Sequence, residues 1–286
     1  MPDPAPAASN PACPSGSAGP IRMVAIDLDG TLLRSDKRLS QRTARAIQQA
    51  RQRGVRVVLA SARPPRSVRD IYRHLDLDTL QINYNGALVH DPHRRRNLFH
   101  QPLSPKLASR IARLARRLDP DIVVSVEILD KWYTDRVDDS LPTETARFQS
   151  PDFIGPLASF LHVPVTKLML LAPPARLEPV RQAIREKFRG HVEILISDDY
   201  LLQVVRAGVD KALALDRVAQ LYGIEPDQVM AIGDAPNDLG MLRWAGLGVA
   251  VDNAWPMVRD AAKAVVPSND EDGVAVALEQ FVLARN

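Results

Sequence analysis

The chain has 286 residues, a formal net charge of +3 and one cysteine, Cys13. This length allows one large domain or two ordinary ones, and we expect two. The small charge excess argues against nucleic acid or a membrane surface as partner, and a single cysteine excludes an intrachain disulfide. No apolar run reaches the ~18 residues of a membrane span. We therefore expect a cytoplasmic protein.

The first twenty residues are rich in Pro, Ala, Ser and Gly and lack the apolar segment of a secretory signal. We predict that residues 1–20 form a disordered tail. The apolar run that begins at Met23 ends abruptly at Asp27, and Asp29 and Gly30 follow at once. This pattern predicts a buried parallel strand that ends in a loop.

A second strand of the same kind follows. Apolar residues at helical spacing predict a helix from Leu39 to Arg53, with Ser40 as its N-cap. The buried strand predicted from Val55 to Ala60 ends at Ser61, and a new helix begins near Pro64 and runs to about Leu75. A strand, a helix and a strand in this order indicate a parallel sheet.

The middle of the chain follows a different pattern, because strand pairs alternate with helices there. This pattern predicts a small α+β module inserted into the parallel fold, at residues 86–206. Its predicted elements, after a strand that turns at Asn85 and Gly86, are helices Lys106 to Leu118, Leu141 to Phe148 and Arg176 to Phe188, and strands Ile122 to Glu127, Lys131 to Thr134, Lys167 to Leu171, His191 to Ile196 and Tyr200 to Val205.

The parallel pattern resumes with a helix from Lys211 to Tyr222 and a strand from Gln228 to Ile232, which leads into the sequence G-D-A-P-N-D at residues 233–238. Further helices and strands alternate to the end of the chain. We therefore predict an α/β fold with a Rossmann-like parallel-sheet core, split into residues 21–85 and 207–286 around the inserted module.

Polar side chains follow three of the predicted core strands. Asp27 and Asp29, Ser61 and Asp234 all lie where an apolar strand gives way to a loop, and open α/β sheets bind ligands at that edge. Carboxylates that lie close together need a cation, and oxygen ligands of this kind suit Mg²⁺. The sequence predicts a magnesium site there, which Asp238 could complete.

Two nearby side chains suit an anionic ligand. Lys211, at the start of a helix, offers a compact positive charge to a phosphoryl group, and Asn237 could donate a hydrogen bond to an oxyanion. An ionised Asp can attack a phosphoryl group, and a second carboxylate can protonate the leaving oxygen and then activate water. The alternatives are a surface turn and a calcium loop, but Leu32 and Leu33 are not metal ligands.

Several other residues allow two interpretations. Glu127, Trp132, Tyr133 and Arg136 could select a substrate, although the insert needs its own core and Trp132 is better explained by packing. A run of three arginines, Arg94 to Arg96, is better explained as a solvated hairpin turn than as an anion site. We expect three large apolar residues to belong to the core: Trp244, Trp255 and Met257.

Four segments, D-L-D-G-T-L-L, S-A-R, G-V-D-K and G-D-A-P-N-D, occur in the order of the motifs of a known superfamily. With them, nearly everything from Ile21 onward resembles the haloacid dehalogenase superfamily, and within it the Cof-type phosphatases. The segments N-G-A at residues 85–87, D-N-A at 252–254 and S-N-D-E-D-G-V at 268–274 are similar to further signatures of that subfamily. Two departures are Ala62 and Ala212, each at a position where Gly is common.

The resemblance implies a Mg²⁺-dependent phosphatase that hydrolyses a small phosphorylated metabolite, such as a sugar phosphate or a nucleotide- or cofactor-type phosphate, through an aspartyl-phosphate. The inserted module would be the cap over the site. The roles implied are nucleophile for Asp27, general acid/base for Asp29, metal ligands for Asp27, Asp29 (through its backbone carbonyl) and Asp234, phosphate binding for Ser61, Lys211 and Asn237, and support for Asp238, Arg63, Gly30 and Asn85.

Two other functions stay open on the sequence. A phosphotransferase or mutase on the same scaffold would pass the phosphoryl group to a sugar hydroxyl, and a non-catalytic ligand-binding regulator would keep the fold alone. We expect a monomer or a small homo-oligomer.

Overall fold

The fold is described from a computed structural model, for residues 19–141 and 149–284. The predicted tail lies outside these ranges except for its last two residues, and the helix predicted from Leu141 to Phe148 lies outside them except for Leu141. Among the described residues, no helix combines the length and the apolar character that crossing a bilayer requires.

The secondary structure follows the predicted alternation closely. In chain order the strands are β1 (Met23–Ile26), β2 (Arg56–Leu59), β3 (Gln81–Asn83), β4 (Leu88–Asp91), β5 (Arg96–His100), β6 (Val123–Ile128), β7 (Lys131–Thr134), β8 (Phe153–Ile154), β9 (Lys167–Leu171), β10 (Val192–Asp198), β11 (Leu201–Arg206), β12 (Val229–Gly233), β13 (Leu247–Val251) and β14 (Ala264–Val266). The helices are α1 (Gln41–Gln52), α2 (Pro65–His74), α3 (Pro105–Leu118), α4 (Pro174–Lys187), α5 (Lys211–Tyr222), α6 (Leu239–Trp244), α7 (Pro256–Ala261) and α8 (Gly273–Leu278).

A five-stranded sheet forms the centre of the core, in the order β14-β13-β12-β1-β2. Every neighbouring pair in it is parallel, so the carboxyl ends of all five strands meet at one edge. Strand β1 lies between β12 and β2 and is completely buried, because all four of its residues are apolar. The predicted parallel α/β core is confirmed.

Helices α1, α2 and α5 of the core lie within two residues of their predicted bounds. The Ser40 side chain accepts a hydrogen bond from the backbone N–H of Thr43 and so caps α1.

Of the three large apolar residues predicted to lie in the core, Trp244 is partly buried and packs against it, but the predictions for Trp255 and Met257 were wrong. Their exposed fractions are 60% and 50%, because the short helix α7 turns Val258 inward instead.

The inserted module contains a six-stranded sheet in the order β10-β11-β9-β6-β7-β8. Its pairs are antiparallel except for β7 with the two-residue β8, which the sequence did not predict. Helices α3 and α4 supply apolar residues to a separate cluster that contains Val124 and Leu170 of the sheet. The predicted α+β insert therefore has its own hydrophobic core.

Strands β3, β4 and β5 form a third, antiparallel sheet. Val89 of β4 belongs to the apolar cluster of the parallel core, and Phe99 of β5 packs against that cluster. The first residue of the insert's own cluster is Leu103. The β4–β5 hairpin therefore packs partly on the core, but its Leu88 belongs to a cluster with Val205 of the insert. The start of the insert at residue 86 stays a prediction. The predicted solvated turn is confirmed, since Arg94 and Arg95 lie in the exposed turn of this hairpin.

A buried ion pair helps to join the core to the insert. Arg66, on the first turn of α2, donates two hydrogen bonds to Glu127 of β6, at 2.6 and 2.8 Å. Glu127 is 1% exposed, and the Tyr84 hydroxyl lies 3.1 Å from the same carboxylate. A buried carboxylate depends on such partners to offset its lost hydration.

We expect Arg66→Met to destabilise the protein by about 3–5 kcal/mol, because Glu127 would stay buried without its cation. Urea unfolding measures the loss. Glu127→Gln, made in the Arg66→Met background, should restore part of that stability, whereas in the wild type it should reduce stability. Additive effects of the two substitutions would contradict a direct pairing.

Candidate active site

The predicted site residues follow adjacent strands. Parallel pairing places Ile26 of β1 level with Ile232 of β12 and with Leu59 of β2. Asp27 follows β1 directly, Asp234 follows β12 directly, and Ser61 comes two residues after β2. All three therefore lie at the carboxyl edge of the sheet, where the sequence predicted them.

Three carboxylates and one lysine converge at this edge. One oxygen of each of Asp27, Asp234 and Asp238 lies within 4.8 Å of the others. The Lys211 Nζ donates to Asp27 Oδ1 at 2.5 Å and to Asp238 Oδ1 at 2.7 Å. The Lys211 side chain is fully buried, and its ammonium group lies between two carboxylates.

The pKa values of these groups reflect their burial and their mutual charges. Burial and the charge of Asp238 raise the pKa of Asp27 well above 3.8, against the opposing effect of Lys211. Burial likewise raises the pKa of Asp234, although the hydroxyl of Thr31 donates to it at 2.7 Å. Burial alone would lower the pKa of Lys211, but Asp238 and Asp27 together raise it. The three carboxylates therefore outnumber the single ammonium group of this cluster.

Asp238 has a structural task as well. Its Oδ2 accepts the backbone N–H groups of Asp234 and Ala235, at 3.1 and 3.0 Å, and it is completely buried. Gly233 allows this close approach, because a Cβ there would lie 2.5 Å from the Cβ of Asp238. Asp238 thus holds both the loop that carries Asp234 and the ammonium group of Lys211.

The donor set fits a hard divalent cation. Asp27 and Asp234 each have one oxygen held, by Lys211 and Thr31 respectively, which leaves the second oxygen of each for a metal. Gly30 keeps space beside them, since a Cβ there would lie 2.5 Å from Asp234 Oδ2. A divalent cation would also supply the missing charge.

The side chain of Asp29 does not join the three clustered carboxylates. Arg63 donates two hydrogen bonds to it, at 2.6 and 2.7 Å, and Lys37 donates a third at 2.9 Å. Burial would raise the pKa of Asp29, but these two cations outweigh it and lower the pKa. Asp29 is therefore held ionised at neutral pH. Its role as a metal ligand through the backbone carbonyl stays a prediction.

A group of hydroxyl and amide side chains completes the same edge. Ser61 is 1% exposed, and its backbone carbonyl accepts the N–H of Asn85 at 3.0 Å. The Asn85 side chain in turn accepts from the Asn237 amide at 3.0 Å. These contacts bring together three residues that are far apart in the sequence, all of which were predicted.

The chain matches the family model described as haloacid dehalogenase-like hydrolase over residues 24–278. The chain belongs to this family. The resemblance drawn from the four motifs is thereby confirmed, and so is the predicted enzyme class, a phosphatase-type hydrolase of the haloacid dehalogenase superfamily.

Two curated relatives are phosphatases. The 5-amino-6-(5-phospho-D-ribitylamino)uracil phosphatase YitU of Bacillus subtilis (strain 168) is 29% identical over 265 residues, which cover 91% of this chain and 97% of that protein. The HMP-PP phosphatase of Cronobacter sakazakii (strain ATCC BAA-894) is 32% identical over 241 residues, which cover 83% of this chain and 86% of that protein.

Solved structures share the whole fold. A haloacid dehalogenase-like hydrolase from Bacteroides thetaiotaomicron superposes with a TM-score of 0.82 at 28% identity, covering 91% of this chain and 99% of that one. TM0651 from Thermotoga maritima superposes with a TM-score of 0.83 at 28% identity, covering 91% and 97%. The core and the insert therefore occur together in other members of the family.

Four contacts in this haloacid dehalogenase-like hydrolase were not predicted. Thr31 fixes Asp234, and Lys37 pairs with Asp29. Asn253 donates to the carbonyl of Gly30 at 2.8 Å, and Asn269 donates to the carbonyl of Leu33 at 2.8 Å. Thr31, Asn253 and Asn269 lie in the quoted motifs, so the motifs could have indicated them as site residues. Nothing in the sequence indicated Lys37.

The candidate substrate-selecting residues of the insert have different surroundings. Glu127 lies at the contact with the core, where Arg66 binds it. Trp132 is 8% exposed and packs with Met169 and Leu201, as the packing interpretation predicts. The last two candidates are held inside the insert, Tyr133 by aromatic contacts and Arg136 by the backbone carbonyl of Asp121.

Gly86 packs directly against the backbone of Asp210, just before α5. Its φ is +100°, and a Cβ at this position would overlap the backbone carbonyl oxygen of Asp210. We expect Gly86→Ala to destabilise the hydrolase by at least about 2 kcal/mol, since it combines a left-handed backbone with a backbone clash. Thermal unfolding measures this loss.

The matched control is Gly54→Ala. Gly54 has a φ of +80° but open space around its missing Cβ, so only the backbone strain applies. Its expected effect is about 1 kcal/mol. Equal losses for the two variants would show that the contact with Asp210 does not matter.

Proposed function

We propose that this hydrolase is a Mg²⁺-dependent phosphatase that cleaves a small phosphorylated metabolite through an aspartyl-phosphate on Asp27. One observation supports this proposal above the others. A buried carboxylate, Asp27, is held at 2.5 Å by a buried lysine and lies beside two further carboxylates. A lysine with a purely structural role needs only one carboxylate as its partner, whereas three carboxylates lie close together here.

Lys211 orients the nucleophile. It donates to Oδ1 of Asp27 and so fixes the direction of the carboxylate. One oxygen of this carboxylate would bind the metal, and the other would attack the phosphorus atom while the bond from phosphorus to the ester oxygen breaks. Ser61 and Asn237 lie at the same edge and would donate hydrogen bonds to the phosphoryl oxygens. Preorganised donors of this kind stabilise the charge that develops in the transition state.

Asp29 would transfer the protons. In the first step the leaving oxygen takes a proton from it, and in the second step Asp29 removes a proton from the water that attacks the phospho-enzyme. Its present ion pairs with Arg63 and Lys37 hold it ionised, which suits the second step. Asp29 can act as an acid only after Arg63 and Lys37 have moved away from it. These two ion pairs would therefore break when the substrate binds.

The side chains of Asp27 and Asp234, with the backbone carbonyl of Asp29, would hold the Mg²⁺, and Asp238 would keep Asp234 in place. When bound, the ion neutralises charge on the transferring phosphoryl group. Such a cation would lower the raised pKa values of Asp27 and Asp234.

The substrate would be a small molecule. One relative is named for a ribitylaminouracil phosphate and another for HMP-PP, both of them compact phosphorylated compounds. We propose a sugar phosphate or a nucleotide- or cofactor-type phosphate as the substrate class. The insert would act as the cap that excludes water during the first transfer.

A panel of phosphorylated metabolites tests the proposal. We expect release of inorganic phosphate from at least one of them with Mg²⁺, and at least about a hundredfold loss of that rate in excess EDTA. Transfer of the label from a ³²P-labelled substrate to a second sugar would identify a mutase instead. Absence of turnover across the panel would favour a non-catalytic binding protein.

A further inference from the structure

A cavity of about 500 Å³ lies away from the carboxylates, between helix α2 and the β4–β5 hairpin. One face of α2 supplies Arg69, Tyr72 and Arg73 to its wall, and the turn of the hairpin supplies His93 and Arg95. Its volume suits a small organic ligand. None of these residues takes part in the mechanism proposed above.

The wall of this cavity is rich in positive charge. Arg69, Arg73 and Arg95 line it together, and Asp130 is the only carboxylate among its lining residues. Within the described part of the chain, the side chains of Arg73 and Arg95 form neither a hydrogen bond nor an ion pair. Guanidinium groups without partners are well suited to the paired oxygens of a phosphate.

A buried glutamine with an unsatisfied side-chain oxygen lines the cavity. Gln81, on β3, is 2% exposed and lines the cavity opposite His90, its partner in the strand pairing. Its Oε1 is buried and has no hydrogen-bond partner among the described residues. A buried polar group without a partner is unusual, and a hydroxyl or amino group of a ligand that donates a hydrogen bond to this oxygen would correct the deficit.

Two aromatic rings also form part of the cavity wall. The rings of Tyr72 and His93 meet edge to face, with 6.1 Å between their centroids. Such a surface suits the carbon part of a ligand whose phosphate lies against the arginines. We propose that this cavity, which we name the α2 pocket, binds a small phosphate or diphosphate ester as a second, non-catalytic ligand.

The α2 pocket is connected to the insert through Asp130. This carboxylate accepts the backbone N–H of Arg66 at 2.7 Å and lies 3.3 Å from the guanidinium of Arg69. A phosphate in the pocket competes with Asp130 for Arg69. Occupancy therefore weakens one of the polar contacts between the insert and the core, and links the pocket to the position of the insert.

Pyrophosphate is the probe that tests the pocket, measured by calorimetry with the full chain in EDTA. Without a metal, the catalytic carboxylates repel an anion, so saturable binding reports the α2 pocket. We expect one pyrophosphate per chain, and at least about tenfold weaker binding to the double variant Arg73→Ala/Arg95→Ala. In the presence of Mg²⁺, the Arg73→Ala/Arg95→Ala variant should hydrolyse substrate at the wild-type rate.

The matched control is Arg45→Ala/Arg217→Ala, which removes the same charge from exposed positions on α1 and α5. It should bind pyrophosphate as the wild type does. Absence of saturable binding to the wild type, or equal weakening in both double variants, would overturn the proposal. Because the assay contains no metal and no turnover, its result is independent of the proposed phosphatase activity.

Hydrogen exchange tests the link to the insert. Saturating pyrophosphate should speed amide exchange in the turn at residues 129–131, which carries Asp130, and should not do so in the Arg73→Ala/Arg95→Ala variant. Unchanged exchange in the wild type at saturation would contradict the competition for Arg69.

Discussion

Asp27→Asn should lower turnover by a factor on the order of 10⁴ or more, as loss of a nucleophile does in other hydrolases. Asn keeps the size of Asp and an oxygen that can accept the hydrogen bond from Lys211, so the site should keep its shape. What it loses is the anionic oxygen that attacks phosphorus. Steady-state phosphate release from the best substrate of the panel, with Mg²⁺, measures the effect.

The fold of the Asp27→Asn variant can be checked separately. Burial raises the pKa of Asp27, so the ionised side chain reduces the stability of the metal-free protein. We expect the variant to unfold in EDTA at the wild-type temperature or above it. Inactivity with a lower unfolding temperature would point to damage of the fold, and retained turnover would show that another group is the nucleophile.

The pH dependence of stability gives a further check on this carboxylate. The folded-state pKa of Asp27 lies above its ordinary value of 3.8, so the folded protein binds this proton more tightly than the unfolded chain does. The contribution of Asp27 to stability therefore falls as the pH rises through the interval above 3.8. In EDTA, the stability advantage of Asp27→Asn should grow between about pH 4 and pH 7.

The positions of Asp27 and Asp234 were predictable because they depend on a local pattern. An apolar run that ends in Asp shows the carboxyl end of a buried strand, and parallel pairing brings such ends together. Lys211 was predictable for the same reason, since it begins the helix that follows the insert. Each of these predictions needs only a strand or helix boundary and the rule that parallel strands share an edge.

The direction of the Asp29 side chain was not predictable in this way. Asp29 lies only two residues beyond Asp27, yet the chain turns at Gly30, and Asp29 forms an isolated bridge with Leu33. Its partners, Arg63 and Lys37, come from two different loops. A single sequence does not show how three loops arrange themselves above a sheet.

The packing of the β4–β5 hairpin was not predictable for a similar reason. The alternation of β4 is the same whether the hairpin packs on the core or on the insert, because a strand shows only which face is buried. Val89 packs with the core, but its partner surface comes from elements that lie far away in the sequence. Likewise, the apolar character of Trp255 did not reveal that α7 is short enough to leave it exposed.

Lys211→Met should strongly reduce both stability and activity, because one buried cation serves two buried carboxylates. Met fills a similar volume but leaves Asp27 and Asp238 without a counter-charge. Removal of one partner from a buried ion pair reduces stability by about 3–5 kcal/mol. Urea unfolding at pH 7 in EDTA measures the loss, and phosphate release should fall by about 10²–10³ because a charge that orients the nucleophile is gone.

The sign of the pH effect follows from the pKa shifts. The pKa of Lys211 is raised above 10.5 in the folded state, so its stabilising contribution is complete at neutral pH and is lost only in alkali. In the Lys211→Met variant the two carboxylates can regain neutrality only by binding protons. The deficit in stability should therefore shrink as the pH falls from 7 to about 5.

A compensating substitution distinguishes charge from packing. Asn at position 238 can still accept the backbone N–H groups of Asp234 and Ala235 through its oxygen, while its amide replaces Oδ1, the atom that faces Lys211. The double variant Lys211→Met/Asp238→Asn then buries one negative charge fewer than Lys211→Met alone. It should recover about half of the lost stability but not the activity. No recovery at all would mean that Lys211 stabilises the fold through its packing, and that the electrostatic account of this site is wrong.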